Sequence, residues 1–263
     1  MNGVEIMKYY VTSDIHGFYD EFISALDEAG YFSDNGPRRL IVCGDIFDRG
    51  PGAVRLQAFI AEQLDKEQAI LIRGNHEDLA MEMIEDMQHG YIRYHHNQNG
   101  TTDTVCQLLG LNPRELFQDL PEKAEQFRST PFVSRIIPAM TDYFETERYI
   151  FVHGWIPCDI SRPAFSQFPE YHPLEDWRNS PALKWQEARW TNGMEAARSG
   201  VLEPGKTIVC GHWHSSFGHS VYEGHGSEFG SDADRTPYRA EGIIALDACT
   251  ALSGKVNCVV LKD

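Results

Sequence analysis

Short apolar runs at 9–12, 40–43 and 69–72 read as buried strands, too brief for helices and each followed by polar or glycine residues. Between them the apolar period becomes helical. Phe18, Phe22, Ala25, Leu26 and Ala29 share one helical face that Gly30 ends, 52–66 reads as the next helix, and 77–88 as the third. The pattern is βαβαβα, an α/β arrangement. Its polar residues gather at the carboxyl ends of strands, where open α/β sheets place their ligands.

From 91 to 138 the pattern is irregular and helical, with helices expected within 102–109 and 121–127. This stretch reads as a helical cap inserted in a single domain spanning 1–263. Residues 139–144 and 149–152 read as a hairpin whose second strand delivers His153, and 207–210 as a strand that delivers His212. Residues 157–205 are rich in Pro, Trp and Arg and show few clean periods. The aromatics of 165–190 read as core, with base stacking as the alternative. Residues 215–241, rich in Gly, Ser and Asp, read as a long loop, and 242–246 and 255–261 as closing strands.

A hydrophobic fraction of 42% suffices for one large core. The net charge of −16 speaks against a nucleic-acid polymer as partner, while a local cationic site still permits a small phosphorylated one. No run approaches the ~20 apolar residues of a membrane helix, so no membrane partner is expected, and residues 1–8 lack the apolar core of a secretory signal. The six cysteines show neither zinc-ribbon nor Cys-x-x-Cys spacing, and several lie in apolar runs. Reduced, structural thiols and a cytoplasmic location are expected.

Five stretches change the picture from fold to chemistry: Ser13-Asp14-Ile15-His16-Gly17, Gly44-Asp45-Ile46-Phe47-Asp48-Arg49-Gly50, Gly74-Asn75-His76-Glu77, His153-Gly154 and Gly211-His212-Trp213-His214. Asp and Asn favour strand-to-helix turns on their own. Three successive ones, each beside His or Arg, point further. Hard oxygens mixed with imidazoles suit a pair of divalent ions such as manganese, iron or zinc. Two such ions bring four positive charges; Asp14, Asp45 and a hydroxide remove three, and Arg49 adds one. A phosphate monoester dianion matches that balance. Asp45, central in the set, suits a bridging carboxylate. Arg49 can hold phosphate oxygens bidentately. His76, next to Asn75, can protonate the leaving oxygen, with Asp48 fixing its tautomer. Glu77 suits the start of a helix, and Arg73 a loop-stabilising role. His95, His96, His219 and His225 read as exposed loop residues.

Together these motifs resemble the calcineurin-like metallophosphoesterases, specifically the Ser/Thr phosphoprotein phosphatase branch, over nearly the whole chain. The resemblance implies a four-layer fold, a central β-sandwich flanked by helices. It implies a first metal held by Asp14, His16 and Asp45, and a second by Asp45, Asn75, His153 and His212, with Asn75 also near the phosphate. A second phosphate-gripping Arg is expected, for which Arg189 is the candidate, with packing on tryptophan as the alternative. Three departures stand out: Ser13 replaces a usual Gly, His153-Gly154-Trp155 replaces His-Ala-Gly, and His214 adds a histidine that the branch often lacks. His214 is expected as a ligand of the first metal or close beside it. The expected activity is hydrolysis of monoesters by metal-bound hydroxide, on a phosphorylated protein or small phosphorylated metabolite. A symmetrical dinucleoside-tetraphosphate hydrolase and a non-catalytic phospho-binding scaffold are the alternatives.

Overall fold

The computed structural model describes residues 6–163 and 169–263. Among the described residues eleven strands run in chain order: β1 (Lys8–Thr12), β2 (Arg38–Cys43), β3 (Ala69–Ile72), β4 (Phe144–Glu145), β5 (Tyr149–Phe151), β6 (Cys158–Ser161), β7 (Glu170–Pro173), β8 (Thr207–Cys210), β9 (Tyr238–Ala240), β10 (Ile243–Ala245) and β11 (Cys258–Lys262). They form a four-stranded sheet ordered β11-β1-β2-β3, a five-stranded sheet ordered β4-β5-β8-β10-β9, and the small pair β6-β7. Within the large sheets β1, β2 and β3 are mutually parallel, as are β5, β8 and β10.

Strand alternation explains how the two sheets stack. Val11, Ile41, Cys43 and Ile72 of the first sheet meet Phe151, Val209, Ile244 and Leu246 of the second in one dry layer. Burying each large aliphatic or aromatic side chain there contributes ~1.5–3 kcal/mol. The alternate residues face outward. Tyr10, Leu40, Val42 and Leu71 pack under helices α1 (Tyr19–Glu28), α2 (Ala53–Asp65) and α3 (Asn75–Gln88). On the far side Ile150, Ile208, Cys210 and Ile243 pack against a helical layer that shares their core through Trp185, Ala188, Met194 and Ala196. The result is four layers, helix–sheet–sheet–helix.

Residues 91–138 hold α4 (Tyr94–Asn99), α5 (Thr101–Leu109), α6 (Pro113–Leu116) and α7 (Leu120–Arg128), followed by two short non-α helical turns, Phe132–Ile136 and Ile137–Ala139. Val105, Leu116, Ala124 and Phe127 share the core of α2 and α3. Three expectations change. Residues 139–144 do not form a full hairpin strand, because the backbone spends 137–139 in a helical turn and only Phe144 and Glu145 pair with β5. The 157–205 stretch contains the β6-β7 hairpin, α8 (Ala182–Arg189) and α9 (Gly193–Arg198). The 215–241 stretch is not one loop: it opens with α10 (Ser215–Tyr222), whose Tyr222 packs near Tyr238 of β9. The last helix is α11 (Thr250–Ser253). Trp177 and Trp185 pack with Tyr143 as core, whereas Trp190 is half exposed beside the His212 ring; residues 165–168 of the 165–190 aromatic stretch lie outside the described residues. Among the described residues no helix is long and apolar enough to cross a membrane.

Candidate active site

Because both parallel sets run the same way within their sheets, six strand ends deliver polar residues to one region. Asp14 and His16 follow β1, Asp45, Asp48 and Arg49 follow β2, and Asn75 and His76 follow β3; His153 follows β5, His212 follows β8 and Asp247 follows β10. The backbone there is unusual. Asp14, His16, Asp45, Asp48, Arg49 and His212 all have φ between 50° and 76°. Non-glycine residues adopt that left-handed region only when surroundings hold them in it, at a cost of order 1–3 kcal/mol each.

Cross-loop hydrogen bonds provide that hold. His16 N donates to Asp45 O at 3.0 Å and Gly50 N to His16 O at 2.7 Å. The fully buried Glu77 carboxylate accepts from the backbone N–H of Gly74 at 2.7 Å, Ile46 at 3.0 Å and Asp45 at 3.1 Å, joining the second and third loops. Burial, then the charge of Asp45, pushes its carboxyl up to about 7. The approach is so close that only glycine fits at Gly211, where a Cβ would overlap the Ser13 hydroxyl and the Asp14 carboxylate.

Ligand-type atoms converge around Asp45. One atom each from Asp45, His153 and His212 lie within 4.8 Å of one another, and the same holds for His16, Asp45 and His76. His153 Nε2 sits 3.3 Å from Asp45 Oδ1 and 2.8 Å from Asn75 Oδ1; His212 Nδ1 sits 2.9 Å from the same amide oxygen. The far nitrogens are fixed on main chain: His153 Nδ1 faces Cys43 O at 2.8 Å, His16 Nδ1 faces Phe47 O at 3.1 Å, and His212 is bonded to the backbone of Trp190. Such bonds orient each ring and turn the near nitrogen toward the cluster. Burial, with His76 and Arg49 nearby, holds His16 well below its usual value. Burial and His153 bring His212 down to about 3. His153 goes the other way: burial lowers it, but Asp45 and Asp14 outweigh that and raise it to about 10. The field at its Nε2 favours a positive charge, whether proton or metal ion.

The acidic side of the site is crowded. Asp14 accepts from the Ser13 hydroxyl and from His212 N at 3.0 Å. Burial raises its carboxyl to about 6, His153 opposing and Asp45 adding to the rise. Asp247, also buried, is held well above the carboxylate range by burial and by Asp14. Buried carboxylates facing one another, with imidazoles beside them, form a donor set that fits divalent cations.

The remaining groups suit phosphate. His76 Nδ1 donates to Asp48 Oδ2 at 2.7 Å, and Asp48 Oδ2 also accepts from Thr101 Oγ1 at 2.8 Å. Burial lowers His76, yet Asp45 and Asp48 outweigh it and the ring is raised overall. Arg49 does not pair with Asp48. Its Nη1 reaches His16 Nε2 at 2.9 Å and its Nη2 reaches His76 Nε2 at 3.1 Å, so the guanidinium lies between the two rings.

Other expected residues lie apart from this group. Arg189 donates to Asp78 at 2.8 Å and to Asp142 at 2.6 Å, so both ends of its fork are on protein carboxylates. His214 stands just before α10, with Nε2 on Glu228 at 2.7 Å and its ring against Phe229. It is absent from the convergent ligand groups found among the described residues. Arg73 pairs with Asp78 at 2.7 Å, a loop-stabilising contact. His225 is exposed. His96 and His219 are not: His96 is buried in α4 with Nε2 on Asp86, and His219 is buried in α10 against Glu223 and Tyr238. His95 is half-buried on Glu82 at 3.0 Å, in a helix rather than a loop. Helical packing, invisible in the local pattern, buries these rings. Sequence reading passed over Asp247, Thr101 and Thr250, whose hydroxyl donates to Asp14 O at 2.7 Å. Asp247 carried a usable signal, an acid directly after an apolar strand, as at Asp14 and Asp45.

This sandwich brings its Asp, Asn and His strand ends into one cluster of donor atoms. Residues 7–216 match the family model described as calcineurin-like phosphoesterase, and the chain belongs to that family. Among similar proteins, the asymmetrical bis(5'-nucleosyl)-tetraphosphatase PrpE of Bacillus velezensis is 38% identical over 76 residues, 27% of this chain and 30% of that relative. The enzyme of the same name from Halalkalibacterium halodurans is 28% identical over 137 residues, 48% of this chain and 53% of its own length. The chain thus spans between about a third and a half of the curated relatives it matches. In fold it resembles a candidate diadenosine tetraphosphatase at a TM-score of 0.51 and 16% identity, covering 99% of this chain and 90% of that one. A cold-active protein tyrosine phosphatase matches at 0.50 and 16%, covering 98% of this chain and 74% of that one.

Proposed function

We propose that the chain hydrolyses phosphate monoesters with two divalent ions, manganese, iron or zinc, in the manner of a Ser/Thr-type protein phosphatase of the cytoplasm. The observation that carries this reading is the convergence of His16, His153 and His212 on Asp45 and Asn75, each ring with its far nitrogen held by main chain. Asp14, His16 and Asp45 would hold one ion, and Asp45, Asn75, His153 and His212 the other. When bound, the ions neutralise phosphate charge and ready water for attack near neutral pH. Arg49, now between His16 and His76, would turn onto two phosphate oxygens, with the Asn75 amide beside it. His76 Nε2 is then free to carry the proton given to the leaving oxygen, while Asp48 keeps Nδ1–H and so fixes the tautomer. We assign Arg189 to clamping Asp78 and Asp142, and His214 to holding Glu228, rather than to phosphate or metal.

A second reading is favoured by the relatives. They are named as asymmetrical tetraphosphatases, which points to unequal cleavage of a dinucleoside tetraphosphate and away from the symmetrical alternative. The non-catalytic scaffold fits less well, because His76, Asp48 and Arg49 stand in one hydrogen-bonded group.

Steady-state kcat/KM on a phosphoserine peptide and on diadenosine tetraphosphate, with products identified, tests these readings. A strong preference for the peptide, abolished by chelation and restored by one of the three metals, is the expected result. ATP plus AMP from the dinucleotide at the higher kcat/KM would establish the second reading, and two equivalents of ADP the symmetrical one. No turnover of any ester by protein containing two ions would leave the scaffold.

A further inference from the structure

The helical segment 91–138 contributes to the candidate site through one turn of backbone. At Gly100, with φ +83°, a Cβ would overlap Arg49 N, so glycine lets this segment press directly onto the Asp48–Arg49 turn. The next helix, α5, then places two hydroxyls one turn apart on that same turn. Thr104 Oγ1 accepts from Asp48 N at 3.0 Å, which anchors a residue at φ 76°. Thr101 Oγ1 donates to Asp48 Oδ2 at 2.8 Å, the oxygen that also receives His76 Nδ1–H at 2.7 Å. Thr101 is fully buried and Asp48 and His76 nearly so.

We propose that Thr101 is a positioning residue for His76, acting through Asp48, so that α5 sets the aim of the group that protonates the leaving oxygen. This inference rests on the reading above in which His76 gives that proton. An Asp48 carboxyl oxygen held by two converging donors has its plane fixed. With only the imidazole donating, the carboxylate can rotate about its χ angles and carry the ring with it. Bonds to charged acceptors are the stronger kind in a dry interior. The loss should therefore appear in proton delivery and leave metal binding intact.

The test uses the metal-loaded protein with Thr101→Val, which keeps the shape and removes the hydroxyl, and Thr101→Ser, which restores it. Two substrates are compared: p-nitrophenyl phosphate, whose leaving group needs little protonation, and a phosphoserine peptide, whose alkoxide needs it. Thr101→Val should lower kcat on the peptide about 10- to 100-fold, with a far smaller change on p-nitrophenyl phosphate and the metal content unchanged. Thr101→Ser should recover most of the loss. On an Asp48→Asn background Thr101→Val should cost little more, since the two act in series. If the valine variant does not fold, Thr101→Ala serves in the same comparison. Equal losses on both substrates, or a serine variant as impaired as the valine one, would overturn the proposal. His76→Asn separates the two levels. If it shows the leaving-group dependence and the Thr101 variants do not, only the role of Thr101 fails; if it shows none, the reading of His76 itself fails.

Discussion

The two sheets supply unlike halves of one site. The first sheet's three parallel strands end in loops that carry several functional groups apiece: Asp14 with His16, Asp45 with Asp48 and Arg49, Asn75 with His76. The second sheet's three parallel strands each supply a single residue, His153, His212 or Asp247. Five of the six left-handed backbone positions at the site lie in the first set of loops, the second and third of which Glu77 ties together. On the proposed reading the first sheet is thus the chemical half, which would hold the bridging carboxylate, the acid and the phosphate cation. The second closes over it with two imidazoles whose far nitrogens rest on main chain. One half is built by interlocked loops with five left-handed positions, the other by strand ends with one, at His212.

The sharpest way to break this comparison is to cut each half at its metal-facing residue. Asp45→Asn should lose both ions and lower turnover roughly 10³-fold or more, whereas His212→Asn should lose one ion and fall less. Elemental analysis of the purified variants, with kcat, checks this. Equal metal loss from both would mean that the sheets contribute alike, and two ions kept by Asp45→Asn would remove the bridge. A middle effect is expected within the chemical half. Arg49→Lys keeps the charge but not the fork, and should lower kcat/KM about 10- to 100-fold with both ions retained. An unchanged rate would place phosphate recognition elsewhere. The smallest effect belongs to the second sheet's extra histidine. His214→Ala should retain two ions and stay within a few-fold of the parent rate, because Glu228 holds that ring in the structure. Loss of one ion would return His214 to the first metal's shell.

Much of the chemical half was legible in the sequence because its signals are local. An apolar run followed within two residues by Asp or Asn, as at Asp14, Asp45 and nearly so at Asn75, names both a strand and its candidate functional end, and the helices that follow repeat at their own period. What was not legible depends on distant partners. Arg189 sits in a helix beside tryptophans, and nothing near it in sequence announces Asp78 or Asp142. His96 and His219 looked exposed because their segments are short and polar, yet each ring is buried by a neighbouring helix or strand. The helix at Ser215–Tyr222 was hidden by a composition typical of loops; it is eight residues long and gains its stability from packing rather than propensity. Asp247 is different. Its signal was the same as that of Asp45, but no histidine or arginine stood next to it to draw notice.

The pairing of β1 with β11, Lys8 opposite Lys262, has a consequence for assembly in time. The strand that carries Asp14 and His16 gains its antiparallel neighbour only from residues made after every other strand of both sheets. Contacts so far apart along the chain are slow to form and leave an unpaired edge exposed meanwhile. During synthesis the second sheet's residues are therefore in hand before the first sheet is complete on that side.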